Sequence, residues 1–592
     1  MFVALSVHLL FVFLPHYLPD EPFYATIPYR LLCGDSLIQE EWHLSQLSSF
    51  FTYLPVRLWI TVKGSADGLF LFLRLVYLLI HTAAAVVIYR LFRTYQYWAI
   101  VTALIYYLQT PYKIYAMSYN SMFAFFLLLF SVCLYLIYRY GSRKLYFISG
   151  VFFAACCIGN PVFVITLPLY PILSRLLRTS HIHTEQIPQE KKKEQLSAKQ
   201  ECAKSGKSIF CKPVFLFLLG IGSVAAAGLI FFFGTGGELS SLFNNLRTIA
   251  DSSEYRIVSG TAPDKIKLIV HSINRLMLNR PYYIFLYFIV LINDTKAKQN
   301  SHRIFYLLGV IPLSVLCILG MRFSPNIETT LLHSFPCALL SLVCYILTEK
   351  RNKPLFLCMW CPSVIASLIQ LYISNTLLTA AGFVLAVSNV SGVILIHDLF
   401  QELRFANQKE KNTETKKQIV PLLSRIAICV VLILQIGVYV YILQYGQPIP
   451  DKPVTVSKGP YSGIVMSQEQ SESYNASLRD LDLIREKSSP EHPVLITSFQ
   501  SWMYLYLQRP IATYTTWYAA GIHTNSLTAY YAMNPDKIPK YIYVVYSDDI
   551  APIGFHIDNV EACIDKLDIL FDYTTEELSN GLLLTVKEYH GS

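Results

Sequence analysis

Residues 2–24 read FVALSVHLLFVFLPHYLPDEPFY. One apolar run ends in Pro-His-Tyr-Leu-Pro and gives way at once to two carboxylates, Asp20 and Glu21, followed by Pro22 and the aromatic Phe23 and Tyr24. A simple membrane anchor has no use for paired acids at its edge. The side of the membrane on which they emerge, and what else emerges there, decides how the chain is read.

The chain has 592 residues, 54% hydrophobic and 15% charged, too apolar for an ordinary soluble protein. A bilayer core of roughly 30 Å takes about 20 apolar residues per helix. Runs such as SMFAFFLLLFSVCLYLIY and IAICVVLILQIGVYVYIL supply them. The hydropathy pattern predicts about 13 transmembrane helices, at 2–16, 69–89, 97–109, 120–139, 145–159, 161–177, 213–234, 281–294, 304–320, 329–348, 355–373, 377–397 and 421–445. The first run carries no basic flank and no small-residue cleavage site, so it is read as a retained span and not as a signal peptide.

The net charge of +9 could suggest nucleic acid, but the basic residues cluster in loops between apolar runs. They read as topology determinants, and no nucleic-acid partner is expected. With the N-terminus cytoplasmic, most Lys and Arg fall inside, including Arg90, Arg93, Arg143, Lys144, Lys191, Lys192 and Lys193. That orientation places Asp20 and Glu21, and residues 446–592, on the extracytoplasmic side. The expected architecture is a transmembrane domain over 1–445, with a first external loop at 17–68, and an external domain over 446–592.

Within the first loop, SLIQEEWHLSQLSSFFTYL (36–54) reads as an interfacial helix. Ser36 and Gln39 fit a capping box, and Glu40, His43 and Gln46 form a polar stripe. Glu40 and His43 have metal-ligand spacing, but a divalent metal needs a third ligand that the sequence does not identify. DKIKLIVHSINRLMLN (264–279) reads as a second interfacial helix. In the tail, HPVLITSF, RPIATYTTW, KYIYVVYS and GLLLTVKEY read as strands, and NASLRDLDLIREK and DNVEACIDKLDILF as helices, which suggests a small α/β domain. The 13 cysteines lie mostly in apolar spans and show no disulfide framework. The AKSGKS at 203–208 lacks the upstream glycine of a phosphate loop.

LPDEPFYATIPYRLLCGD (18–35) and ADGLFLFLRLVYLLIHTAAAVVIYRLF (66–92) together resemble the start of the GT-C glycosyltransferases, the superfamily of protein O-mannosyltransferases and aminoarabinose transferases. LIYYLQTPYKIYAMSYNSMFAFFLLLFSVCLYLIY and FISGVFFAACCIGNPVFVITLPLYPIL extend the likeness to about residue 180, and topology alone continues it to 445. The resemblance implies transfer of a sugar from a polyprenyl-phosphate donor to an acceptor outside the cytoplasm: protein, lipid or glycan. It implies Asp20 as general base, with Glu21 assisting. Tyr24, Glu40, His43, Arg74, Lys113 and Arg322 are the candidate substrate-contacting residues. Arg74 lies inside a span, so an acid of the first loop is as good a partner for it as a substrate phosphate. One position departs from the pattern: relatives carry an acid near the start of the fourth span, where this chain has Asn120. A transporter or flippase of lipid-linked sugars, or an inactive relative serving as a scaffold, remain the alternatives.

Overall fold

The structure, a computed structural model, describes residues 2–14, 20–43, 45–108, 115–173, 212–237, 262–279, 352–373, 378–409, 452–517, 523–546 and 560–591, with a few isolated positions between 334 and 345. The expected spans at 281–294, 304–320 and 421–445, and most of 329–348, lie outside the described residues.

The chain is mostly helical with one small sheet region. It opens with α1 (Phe2–Val12), α2 (Asp20–Leu32), α3 (Ser49–Lys63), α4 (Leu69–Phe92), α5 (Tyr97–Leu108), α6 (Tyr119–Tyr140) and α7 (Arg143–Gly159). It continues with α8 (Lys212–Gly234), α9 (Ala262–Asn279), α10 (Lys353–Ile373), α11 (Leu378–Val384) and α12 (Ala386–Lys409). Among the described residues, four helices are long and apolar enough to cross a membrane: Leu69–Tyr95, Tyr119–Tyr140, Lys212–Gly234 and Lys353–Ile373. Of the other expected spans that are described, α1, α5 and α7 are shorter, and 377–397 is divided between α11 and α12.

The segment expected as a sixth span, 161–177, is not one straight helix as far as it is described. A 3-10 turn covers Pro161–Thr166, and α-helix resumes only at 169–173. Pro161, Pro168 and Pro171 explain this, since each lacks an N–H and crowds the preceding turn.

Helix ends sort into two groups. Asn160 at the end of α7 donates to Gln370 Oε1 at 2.7 Å, and Gln370 donates to Asn120 Oδ1 at 3.4 Å, so the end of α7, the start of α6 and the end of α10 meet. At the opposite end, Asn352 donates to Asp398 at 2.8 Å, and Tyr95 and Trp98 pack on His397. Arg90, Arg139, Arg143, Lys144 and Lys353 occupy the terminal turns of helices at this second end.

α7 and α8 pack through glycine. A Cβ on Gly150 would stand 2.0 Å from the Phe217 carbonyl oxygen, and one on Gly220 2.2 Å from that of Phe147. In lipid, such close backbone approach replaces the hydrophobic drive as the source of helix association. Buried hydroxyls add to it elsewhere: Ser363 donates to Val384 O and Ser367 to Ala381 O.

The tail holds β1 (Pro453–Thr455), β2 (Val465–Ser467), α13 (Gln468–Lys487), β3 (Val494–Thr497), α14 (Trp502–Leu507), α15 (Thr524–Met533), β4 (Tyr541–Val545), α16 (Val560–Asp568), β5 (Phe571–Glu577) and β6 (Gly581–Tyr589). The main sheet runs β3-β4-β6-β5, with β3 and β4 parallel and the rest antiparallel. Strand alternation splits its core: Ile496, Tyr543, Val545 and Leu583 face the side of α13 and α14, while Leu495, Ile542, Val544 and Leu584 face α15 and α16. Buried Asp480 of α13 accepts from Tyr543 Oη and from the backbone N–H groups of Ser579 and Asn580, fixing the turn between β5 and β6.

RPIATYTTW (509–517) is not a strand. It makes a single bridge, Val494 with Ile511. Beyond that bridge, where Val494 N–H donates to Pro510 O and Ala512 N–H to Val494 O, its carbonyls go to side chains and to the first loop: Ala512 O to Tyr531, Thr513 O to Arg30 and Tyr514 O to the Trp42 N–H.

The tail sits on the ends of α1 and α4. Val465 N–H donates to Phe13 O, Phe70 N–H to Pro460 O, and Gly68 N–H to Gly459 O, while Asp67 accepts from Gly459 N–H. Gly459 has φ +78°, and a Cβ there would stand 2.2 Å from Tyr474 Oη, so only glycine fits this contact.

Replacing Gly220 by Ala is expected to force α7 and α8 apart and cost about 3 kcal/mol or more. Gly228→Ala, with open space around it, should be neutral or slightly stabilising. Thermal unfolding in detergent checks the pair; equal midpoints would refute the close-packing account.

Candidate functional site

The acidic pair opens a helix. α2 begins at Asp20, where a loop was expected. Two prolines hide it in the sequence. Pro22 falls in the first turn, where no N–H is needed. Pro28 leaves the Tyr24 carbonyl without its helical donor, and Thr52 Oγ1 of α3 supplies one at 3.1 Å. Acids in the first turn also suit the positive end of the helix dipole.

Adjacent residues on a helix point about 100° apart, and the two acids accordingly belong to different faces. Glu21 shares its face with Ala25 and Tyr29, turned toward α4 and the tail. It forms a two-point ion pair with Arg74: Nε to Oε1 at 2.6 Å and Nη2 to Oε2 at 2.6 Å. Arg74 Nη1 donates to Val12 O at 2.8 Å and Leu14 O at 2.7 Å. Arg74 is 0% exposed and Glu21 3%. Of the two partners expected for Arg74, the structure shows the acid of the first loop.

Asp20 occupies the helical position one turn before Phe23 and Tyr24, which with Ile27 and Leu31 pack in a separate cluster. The Asp20 side chain itself lies outside the described residues. The Tyr24 ring meets Tyr119 at 5.9 Å, next to Asn120. Phe23 meets the His43 ring at 4.6 Å and Trp517 of the tail at 5.1 Å.

The expected helix over 36–54 is corrected. A 3-10 turn covers Gln46–Ser48 and α3 begins at Ser49; residues 36–43 form a tight turn with Leu37 bridged to Glu41 and Ile38 at φ +70°. The polar stripe of Glu40, His43 and Gln46 therefore does not exist. Glu40 accepts from the Ser36 N–H and hydroxyl, both at 2.7 Å, and Gln46 Oε1 accepts from Ile38 N–H at 2.6 Å. His43 Nδ1 accepts from Ser45 N–H at 3.1 Å, which leaves the ring proton on Nε2. Burial depresses its pKa to about 3, so the imidazole is neutral near pH 7. With Glu40 and His43 each committed to a serine, they do not fit a shared metal. Asp572, Glu588 and His590 do meet on the exposed β5–β6 surface of the tail, their ligand atoms within 4.8 Å of one another.

A second guanidinium holds the loop. Arg30, 0% exposed, donates to Asp35 at 2.8 Å, Glu41 at 3.1 Å, Glu40 O at 2.7 Å, Thr513 O at 2.8 Å and Tyr530 Oη at 3.1 Å. Lys537 of the tail reaches Asp35 Oδ1 at 2.5 Å. Burial pushes the Glu41 carboxyl up, and the facing Arg30 opposes that. No motif in the sequence signalled this network.

Within the span region, two turns along α4 from Arg74, His81 Nε2 donates to Tyr107 O at 2.9 Å. His8 of α1 stacks on Tyr107 at 4.4 Å, and neither of its ring nitrogens has a hydrogen-bond partner among the described residues. Lys113 and Arg322 lie outside the described residues, as do Arg280, a further external-side cation that could face the donor phosphate, and His333, expected near Arg322.

No protein-family model and no curated protein matches this chain.

Arg74→Met alone is expected to strand Glu21 as a buried charge and cost roughly 3–5 kcal/mol, while adding Glu21→Gln should recover part of that loss. Thermal midpoints of the single and double variants decide it; additive losses would refute the clasp. A depressed His43 pKa means the unfolded chain binds more protons between about pH 6.5 and 3, so this group withdraws stability as pH falls through that window. Glu40 and Glu41 also titrate in this loop, so the comparison must be with His43→Gln. That variant should gain stability relative to wild type as pH is lowered from 7 to 4, and a constant gap between their thermal midpoints would exclude the effect.

Proposed function

We propose that this chain is an integral-membrane glycosyltransferase of the GT-C kind, transferring a sugar from a polyprenyl-phosphate donor to an acceptor outside the cytoplasm. The observation that carries the reading is the separation of the acidic pair: Glu21 is held by Arg74, while Asp20 starts the other face of α2 at the end of the bundle covered by the tail. The resemblance of 18–35 and 66–92 to that superfamily supplies the chemistry. The basic helix ends opposite the tail support a cytoplasmic N-terminus, an extracytoplasmic tail and a place in the cell membrane.

In this reading Asp20 takes the proton of the acceptor hydroxyl as its oxygen bonds to the anomeric carbon. The bond from that carbon to the phosphate oxygen breaks, and the lipid phosphate leaves with the electron pair, inverting the centre. A positioned base contributes roughly 10²–10⁴-fold. The leaving phosphate needs positive charge. Arg74 is engaged by Glu21, so the role falls to other external-side cations, for which Lys113, Arg280 and Arg322 are the candidates. Glu21 acts by fixing α2.

A second reading, a transporter of lipid-linked sugars, draws on one observation: a buried histidine between apolar helices, His8, with no hydrogen-bond partner among the described residues, is the kind of group that marks transport paths as well as catalytic sites. Asp20→Asn separates the two. A transferase should lose at least about 10²-fold of sugar transfer to envelope acceptors, with the lipid-linked donor accumulating in mass spectra. Unchanged transfer in that variant would end the proposal.

A further inference from the structure

α3 has an apolar face that the fold leaves open. Its inner face is committed: Ser49, Thr52 and Val56 are buried, and the Thr52 hydroxyl donates to the Tyr24 carbonyl of α2. Its outer face carries Leu54, Leu58 and Val62 at helical spacing, 71%, 59% and 73% exposed. Arg57 borders this stripe, and Lys63 lies in the last turn. Each stands over an aromatic ring one turn back, Tyr53 and Trp59, and neither meets a carboxylate among the described residues. At 15 residues, about 22 Å, α3 is too short to cross a bilayer core of roughly 30 Å. It runs across the ends of other helices instead. Phe50 and Tyr53 meet Phe231, in the last turn of α8, at 4.9 and 5.0 Å. Phe51 stacks on Phe126, two turns into α6, at 5.1 Å, and Trp59 on Phe72, in the first turn of α4, at 4.7 Å.

We propose that α3 lies in the membrane boundary on the tail's side of the bundle and that its partner is an anionic phospholipid surface. Leu54, Leu58 and Val62 enter the acyl chains, and Arg57 and Lys63 rest on the phosphates. A helix facing water has no reason to turn three aliphatic side chains outward at the level of the outermost turns of α4 and α8. A helix in the boundary has that reason, and it places cations beside the apolar stripe and Trp and Tyr at the headgroup level. α4, on which Trp59 packs, exposes Leu75 and Leu79 in its following turns, so lipid that meets this span meets the helix beside it. A second copy of the chain fits less well. Three side chains on one short helix fall far below the roughly 800 Å² per partner of a stable interface, and a symmetric pairing would bring the same cations together. The bond from Thr52 to Tyr24 O ties the seat to α2, the helix that begins at Asp20. The inference stands apart from the glycosyltransferase reading.

The test uses the full chain in phosphatidylcholine nanodiscs. Leu58→Trp places an indole on the stripe, and its emission is the difference from that of Leu58→Phe. Acyl chains brominated near the headgroup should quench it by at least about twofold, and aqueous acrylamide should quench it little. If Leu58→Trp does not fold, Val62→Trp with Val62→Phe gives the same reading. Brominated phosphatidylglycerol, added at equal fraction, should quench the indole more than brominated phosphatidylcholine. That preference should fall by roughly fivefold with each of Arg57→Gln and Lys63→Gln, both at exposed positions that the fold does not use. Strong quenching by acrylamide with none from lipid overturns the seat. Equal quenching by the two brominated lipids, or a preference indifferent to both substitutions, overturns the anionic partner. Quenching by neither agent, with two chains in each disc, gives the stripe to a second copy and also overturns the proposal. Loss of sugar transfer in Asp20→Asn has no bearing on these outcomes, so the two readings fail separately.

Discussion

A guanidinium inside an apolar span must find an anion, and much of this chain's N-terminal architecture follows from how Arg74 finds one. Desolvation of a charge costs several kcal/mol, and only good geometry with every donor engaged offsets it. Glu21 can meet Arg74 only if the start of α2 lies against α4. The same guanidinium takes the carbonyls of Val12 and Leu14, groups that the end of α1 leaves without helical partners. One side chain thus fixes the end of a short first helix, the start of the next and the position of both against the second span. It is also why Arg74 is unsuited to a departing phosphate.

Arg30 repeats the arrangement at the other end of α2. Its five contacts reach back into the turn at 35–41 and across to Thr513 and Tyr530 of the tail, with Lys537 completing the charge balance through Asp35. α2 is therefore held at each end by a buried guanidinium, one binding it to the spans and one to the tail. Helical phase does the rest: with Glu21 drawn toward α4, Phe23 and Tyr24 are turned to the separate aromatic cluster.

Sequence patterning read the long, uniformly apolar helices closely, as at Leu69–Phe92 and Tyr119–Tyr140, because lipid burial imposes length and composition together. β6 was equally legible, since its alternation reflects two different cores on its two faces. The errors fall where tertiary partners outbid local preference. Residues 36–45 have helical periodicity, but Tyr514 O takes the Trp42 N–H and Gln46 takes that of Ile38, so the turn closes on the tail instead. Residues 20–32 read as loop, because the donor that replaces the N–H missing at Pro28, the Thr52 hydroxyl of α3, lies 24 residues beyond the proline and is invisible to local reading. At the candidate site, the sequence marked Asp20, Glu21 and Arg74, and it left open which partner Arg74 takes. It had no means of finding Arg30, Lys537 or Trp517, whose relations run across hundreds of positions.

Buried polar atoms with no hydrogen-bond partner among the described residues occur in several regions: His8 in α1, Ser131 in α6, Ser489 and Tyr589 in the tail, Gln39 in the first loop, Ser49 at the start of α3, and Gln500, Ser501 and Thr516 in tail segments, of which Ser501 is bonded to α2 through its carbonyl. Ile38, a β-branched residue held at φ +70°, belongs to the same turn as Gln39. Each is a cost that an apolar or glycine substitution would relieve, so the first loop trades local stability for the contacts that close it on the tail, through Trp42 to Tyr514 and Arg30 to Thr513.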